Sequence, residues 1–423
     1  MDSPLKKFSD KEKITISLII IIGILLRIID LSYRPLHHDE SIHGIDGYNF
    51  WRNPQTLFYK YDPTYHGPLL YYLLRLSFSI FGDSEFALRF PIAILGIALI
   101  FTPFFFQKYF SKPALMLLLV LFSLSPSLIY WSRFARHDML VVMELLCLLI
   151  AAVLKTPSHK ILIAALGITL HFCTKENIYV HLAIILGYLL TEGAISLYKK
   201  QPPLLIKIAE TILKNQLTFF LALLISIYLF YFFFTANFNY FGSNKFKTPS
   251  RIIFWPFLAQ YDAISHWFGQ NIKERIRGPF AFHLLMLVWY ELPLFLLWLF
   301  TYVHFYLQKN LFVKIVLGLE IALAAGIYIS SVYYIDIKHS TVGSLFHLKS
   351  AFDGALCAIV LLHTIAVTLV FLLKNEKTLA LWGYLSGALF FSYSYLGEKV
   401  PWLTIYPLLS IAVYVCLYLR KYV

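Results

Sequence analysis

Long apolar runs recur along this chain, each closed by Lys, Arg, Pro or Asn, and they set the expected architecture. The runs are continuous rather than alternating, which excludes a transmembrane β-barrel and predicts helices. Expected spans are 14–32, 88–107, 113–130, 139–154, 160–174, 178–198, 212–235, 281–307, 311–332, 351–373, 378–395 and 402–419. That makes an all-α polytopic membrane protein of about 12 transmembrane helices. A first extracytoplasmic loop is expected over 34–87 and a second over 237–280. Inside the first, Leu69–Phe81 is apolar but too short to span comfortably, and Gly67-Pro68 starts it cleanly, so it reads as a helix lying along the interface. No internal repeat, low-complexity tract or soluble terminal domain is evident, so 1–423 reads as a single membrane domain.

Composition agrees. Hydrophobic residues make up 59% of the 423, mean hydropathy is +0.69, and soluble domains hold about 45–50% apolar residues. The first apolar run has basic residues before it and no small-x-small site after it, so it is expected to stay as a signal anchor. The four cysteines lie in apolar segments without paired spacing, which implies neither a disulfide framework nor a zinc motif.

A net charge of +13 would suit nucleic acid, but its distribution argues against that partner. Lysines such as Lys6, Lys7, Lys108, Lys112, Lys155, Lys160, Lys199, Lys200, Lys309 and Lys374 fall in every second loop. That positive-inside pattern puts both termini in the cytoplasm. The opposite loops carry arginines instead: Arg34, Arg52, Arg75, Arg89, Arg133, Arg136, Arg251, Arg275 and Arg277. Forked, permanently charged donors suit phosphate recognition, although a single Arg also snorkels to headgroups. Trp51, Trp131, Trp255, Trp267 and Trp402 lie toward the outer interface and read as membrane anchors.

The densest polar chemistry stands just beyond the first span, where His37-His38-Asp39-Glu40 is followed by His43. Carboxylates and imidazoles at a membrane boundary must be solvated, paired or at work. Asp62 and His66 follow; Asp62 also suits the turn before Pro63. Arg133, Arg136, His137 and Asp138 cluster at a later outer helix end, either as a phosphate clamp or as an ion-pair network. Lys175-Glu176 reads as a structural pair, while Glu398-Lys399 places an ammonium near the surface, suited to a lipid phosphate. Arg275 and Arg277 are further candidates for acceptor or headgroup contact. A divalent metal is possible, with His38, Asp39 and His66 as candidate ligands, though no cofactor is required. Glu144, Glu291 and Glu320 fall in or near spans and are expected to find partners inside the bundle.

Seven stretches in order carry a resemblance: His37–Glu40; His66-Gly67-Pro68-Leu69; Gly82–Glu85 with Leu88-Arg89-Phe90-Pro91; Ser132–Asp138; Thr174–Asn177; Gly278-Pro279 ahead of Tyr290–Pro293; and Gly397–Trp402. With these the chain resembles GT-C membrane glycosyltransferases of the dolichyl-phosphate-mannose–protein mannosyltransferase group, and within it the prokaryotic flippase-activity-associated branch. The resemblance implies transfer of a sugar, a hexose or pentose, from a polyprenyl-phosphate donor to an extracytoplasmic glycan, lipid or protein acceptor, with inversion. It implies Asp39 as the general base, Glu40 as its tuning or orienting neighbour, and His37, His38, Asp62, His66, Arg133, Arg136, Asp138, Glu398 and Lys399 as substrate contacts. The expected location is the plasma (inner) membrane with the site facing outward. The main rival is a flippase or accessory protein for lipid-linked sugars without transfer activity.

Overall fold

The computed structural model describes residues 8–53, 61–235, 237–238, 249–273, 276–308, 310–333 and 348–420. Its described residues form helices and no strand; a single bridge joins Ile276 to Glu398. Six helices are long and apolar enough to cross a membrane, or eight if each of two bent pairs is one span. The protein is therefore multi-pass, while the expected count of twelve spans is not reached by that measure.

The chain divides into two compact units, residues 1–107, 122–179 and 208–269 in the first, and 108–121, 180–207 and 270–423 in the second. The first is built on α1 (Asp10–Ile28), α2 (His38–Arg52), α3 (Leu69–Phe81), α4 (Glu85–Phe101), α6 (Pro126–Ser132), α7 (Asp138–Val153) and α8 (Pro157–Phe172), with α5 (Lys112–Leu124) leading into α6. Of the second unit's helices, α9 (Ile178–Tyr198) precedes α10 (Leu204–Lys214), which leads back to the first unit's α11 (Gln216–Phe234) and α12 (Pro249–Lys273). The second continues with α13 (Phe282–Tyr290), α14 (Leu292–Tyr306), α15 (Leu311–Tyr333), α16 (Ala351–Leu373), α17 (Lys377–Tyr395) and α18 (Ile405–Leu419).

Helix α3 has the bounds the sequence predicts, because its punctuation is strong: Pro68 sits at its start and Gly82 ends it at φ 74°, a left-handed angle that costs glycine little. Ser84 then accepts from the Ala87 N–H and opens α4. Elsewhere the structure corrects the expectation. The loop over 34–87 contains a whole further helix, α2, and the second loop contains α12. The span expected at 281–307 breaks at Glu291 and turns by 119°. Pro293 explains the break, since it cannot donate to the carbonyl four residues back. The span at 113–130 bends by 47° before Pro126 for the same reason.

That second bend exposes carbonyls inside the membrane region, and buried Arg27 satisfies them. Its guanidinium donates to the carbonyls of Phe122 (2.8 Å), Ser123 (2.9 Å) and Gly23 (2.9 Å), and to the Ser132 hydroxyl (3.2 Å). An intramembrane cation here serves the backbone freed by a proline. It ties α1 to the broken span that leads into the polar cluster.

Candidate active site

The site grows from the N-terminal end of α2. His37 caps that helix: its Nδ1 accepts from the Asp39 N–H (3.2 Å), and the Glu40 carboxylate accepts from the His37 N–H (3.1 Å). This capping box makes a helix from His38–Arg52, a stretch with two glycines and no apolar period. It also separates two adjacent carboxylates into different jobs.

Glu40 is fully buried. Arg89 grips it through Nε (2.9 Å) and Nη2 (3.1 Å), Arg34 donates at 2.7 Å, and the Ala135 N–H donates at 3.1 Å. Burial pushes the Glu40 carboxyl upward, but the bonds from Arg89, Ala135 and His37 outweigh it and hold the group below the usual range. Three of the seven motif stretches thus meet on one carboxylate, which fixes α2 against α4 and the 133–137 turn. Arg89 also donates to the Leu31 and Pro35 carbonyls, and the Arg34 guanidinium lies 5.2 Å from the Tyr130 ring and 5.1 Å from that of Phe134. Both arginines are therefore occupied in holding the fold.

Asp39 keeps some exposure, 22% of its side chain, and pairs with Arg136 Nη1. Arg136 Nε reaches Asp138 (3.0 Å), whose other oxygen accepts from Lys175 Nζ (2.7 Å). The result is an alternating row, Asp39–Arg136–Asp138–Lys175, running inward from the exposed end. Lys175 therefore pairs with Asp138, and its neighbour Glu176 pairs with His66 Nδ1 at 2.8 Å. The expected Lys175–Glu176 pair is not formed; successive residues at this turn face different partners.

Arg133, three residues from Arg136, does not share its direction. The 133–137 segment is a turn rather than a helix, and Arg133 donates to the Leu26, Ile29 and Asp30 carbonyls at the end of α1. Asp62 accepts from the Thr64 N–H (2.8 Å), the turn role its place before Pro63 suggests.

His66 lies beside this row at a left-handed φ of 68°. Its backbone follows the Thr174–Glu176 segment closely: Gly67 donates to the Thr174 carbonyl and Leu69 to that of Cys173, both at 2.9 Å. A methyl on Gly67 would stand 2.3 Å from the Cys173 oxygen, so only glycine fits. Trp267, expected as a membrane anchor, stacks on His66 with centroids 4.9 Å apart and donates to the Pro63 carbonyl (3.0 Å).

Below lie His137 and His43. His137 Nε2 donates to the Gly67 carbonyl (3.2 Å), leaving its buried Nδ1 without a partner. Tyr71 donates to the Tyr65 carbonyl, so His43 Nδ1 donates to Tyr71 at 2.8 Å. Burial first, then the charges of His66 and Lys175, lowers His43 to about 3, and His137 is likewise driven well below the usual imidazole value by burial, with His43 next. Both are neutral at pH 7. Asp46, which the sequence reading missed, follows Asp39 and His43 on one face of α2 at spacings of four and then three. Its carboxyl is raised by burial and then by Asp62.

Among the described residues no group of three or more His, Cys, Asp or Glu is placed to hold a metal ion, and His38, Asp39 and His66 do not form one. Glu398 and Lys399 belong to the second unit, where Lys399 Nζ donates to the Ser394 carbonyl (2.5 Å) and to that of Leu396. Arg277 is exposed there; Arg275 lies outside the described residues, and so does the Arg251 side chain. Glu144 and Glu320 have the expected bundle partners: the Thr174 hydroxyl donates to Glu144 (2.5 Å), and Tyr302 donates to Glu320 (2.6 Å), as does Tyr306.

Residues 65–209 match the family model "Dolichyl-phosphate-mannose-protein mannosyltransferase". No curated protein matches the sequence. The oligosaccharyltransferase of Archaeoglobus fulgidus, solved with a tethered acceptor peptide containing the NVT sequon, is similar over 99% of this chain and 50% of its own, with 18% identity and a TM-score of 0.50. The chain spans half the length of that protein, and the likeness is one of fold. ArnT from Cupriavidus metallidurans aligns over 97% of this chain and 78% of its own in the apo state (14% identity, TM-score 0.44). Its structure bound to undecaprenyl phosphate aligns over 98% and 78% (15% identity, TM-score 0.40). The chain is a multi-pass membrane protein whose residues 65–209 match the dolichyl-phosphate-mannose–protein mannosyltransferase model and whose fold is similar to that of the archaeal oligosaccharyltransferase.

Proposed function

We propose that this protein moves one sugar from a polyprenyl-phosphate donor to an acceptor hydroxyl outside the cytoplasm, with inversion and with Asp39 as general base. The observation that carries this reading is the contrast between two neighbouring carboxylates. Glu40 is buried and spent on three segments, while Asp39 stays at the exposed end of a charged row beside Arg136.

In the reaction the acceptor oxygen attacks the anomeric carbon and its proton passes to the Asp39 carboxylate. The bond from the anomeric carbon to the phosphate oxygen breaks, and its electron pair stays on the lipid phosphate. No covalent enzyme intermediate forms. Arg136 is the forked donor for that phosphate, with Lys175 behind it and His66, held by Glu176, alongside. The leaving group gains charge as the bond breaks, so cations here are worth more in the transition state than before it. In the second unit Lys399 remains a candidate contact for lipid phosphate and Glu398 a candidate contact for substrate. The lysine pattern supports cytoplasmic termini and an outward site in the plasma membrane.

Sugar transfer in membranes holding wild type, Asp39→Asn or Glu40→Gln, supplied with a panel of radiolabelled polyprenyl-phosphate sugars, tests the reading. Wild type transfers one of them, and Asp39→Asn loses about a hundredfold or more at equal expression. Undiminished transfer by Asp39→Asn overturns the base assignment. If wild type transfers nothing yet alters the distribution of lipid-linked sugars across the membrane, the protein is a flippase or accessory component instead.

A further inference from the structure

We infer that the donor phosphate and Asp39 compete for the same guanidinium, so that binding of the lipid phosphate to Arg136 is what releases the base. This rests on the functional reading above and adds a coupling to it.

The row Asp39–Arg136–Asp138–Lys175 holds two carboxylates and two cations, so it is neutral as a unit. Its members differ in access. Side-chain exposure is 22% for Asp39 and 11% for Arg136, against 3% for Asp138 and 7% for Lys175. The inner pair is sealed, with Lys175 on one Asp138 oxygen and Arg136 Nε on the other. An arriving phosphate brings a negative charge and needs a cation. The inner ion pair cannot open without leaving a buried charge alone, which is strongly unfavourable. The outer contact, Arg136 to Asp39, is the one that exchanges at small cost. A guanidinium suits the exchange, since its fork presents several donors and Nε stays on Asp138 while the Nη groups change partner.

The exchange changes the chemistry of Asp39. A carboxylate paired with a guanidinium is a poor proton acceptor, because the cation stabilises its charged form. Once Arg136 turns to phosphate, Asp39 regains basicity next to the acceptor hydroxyl. After transfer the lipid phosphate holds more negative charge and keeps Arg136 until it departs. Arg136 then returns to Asp39, and the proton taken from the acceptor leaves Asp39 for water. Without donor, the base is neutralised by its own neighbour.

Coupling of this kind is reciprocal: if phosphate weakens the Asp39–Arg136 contact, removing the Asp39 charge must strengthen phosphate binding. The experiment measures binding of a short-chain polyprenyl phosphate to the full-length protein in nanodiscs, with the matching polyprenol as a neutral control. Asp39→Asn binds the phosphate about tenfold tighter than wild type while losing transfer. Arg136→Gln binds it more weakly, and Asp39→Asn no longer tightens binding when added to Arg136→Gln. Arg136→Lys, which keeps a cation beside Asp138, guards against loss of fold and binds at an intermediate level. Unchanged or weaker binding by Asp39→Asn, with Arg136→Gln still impaired, overturns the competition and leaves Arg136 as a plain phosphate contact. Wild-type binding no better for the phosphate than for the polyprenol overturns the functional reading itself.

Discussion

The chain joins distant segments in two contrasting ways. In the first unit, segments 34–40, 89, 133–138 and 175–176 are held together by charge, around Glu40 and along the Asp39–Lys175 row. In the second, residues 276–278 and 397–399 meet mainly through backbone. Ile276 bridges Glu398, the Lys399 N–H donates to the Ile276 carbonyl (3.0 Å), and the Gly397 N–H donates to Asn271 Oδ1 (2.6 Å). Backbone bonds survive most substitutions. Buried ion pairs do not, because losing one partner strands the other. A fold can be secured by either device, but only the first leaves charges poised beside a substrate, and it does so at the cost of fragility.

That fragility gives the largest expected effect. Arg89→Leu removes two bonds to the fully buried Glu40 and two to carbonyls, and should destabilise the protein by about 3–5 kcal/mol. In the second unit, Asn271→Ala removes one bond to a backbone N–H and should cost about 1 kcal/mol. Thermal unfolding in detergent, followed by monodisperse recovery, compares the two. Equal losses would break the contrast.

What was legible in the sequence follows the same division. Helix α3 was readable to the residue because Pro68 and Gly82 act locally. Helix α2 was hidden, since Asp39, Gly44, Asp46 and Gly47 give no apolar period; it exists because His37 and Glu40 close a capping box and Arg89, far away in sequence, secures Glu40. The chemistry at Asp39 could be read from residue types. The partners could not: Arg133 and Arg136 looked alike at a spacing of three, yet the turn sends one to the carbonyls of α1 and the other to Asp39. The pairing of His66 with Glu176, across a sequence separation of 110, and the Trp267 stack on His66 depend on chain crossings no local pattern encodes.

Two glycines sharpen the comparison at smaller scale. A methyl on Gly67 meets the backbone oxygen of Cys173 at 2.3 Å, and backbone cannot yield without moving His66 from Glu176. A methyl on Gly278 meets Lys399 Cγ at 2.7 Å and Cβ at 3.0 Å, side-chain rather than backbone atoms, on a buried residue whose Nζ is held by the Ser394 and Leu396 carbonyls. Gly67→Ala, which must move backbone, should therefore lose about 1–3 kcal/mol and most transfer activity, whereas Gly278→Ala, which displaces side-chain atoms, should lose less. Melting curves and transfer assays on both variants check this; a more damaging Gly278→Ala would mean that the second junction is the stiffer one.

The smallest effect concerns pH and belongs to the first unit. His43 is held neutral, its value lowered from 6.5 to about 3 by burial and then by His66 and Lys175. An unfolded chain protonates this imidazole below pH 6.5, while the folded chain resists until about pH 3. The folded state thus binds fewer protons in that window, and its stability is complete above pH 6.5 and falls as the pH drops through the window. One group contributes at most about 1.4 kcal/mol per pH unit, so the loss between pH 6.5 and 5.5 is near 1 kcal/mol for His43, with His137 acting in the same direction. His43→Gln keeps a donor for the Tyr71 hydroxyl but cannot titrate, so its melting temperature should fall less steeply over that unit than wild type. An identical acid slope in both proteins would place the proton uptake elsewhere and remove His43 from the account of the protein's acid sensitivity.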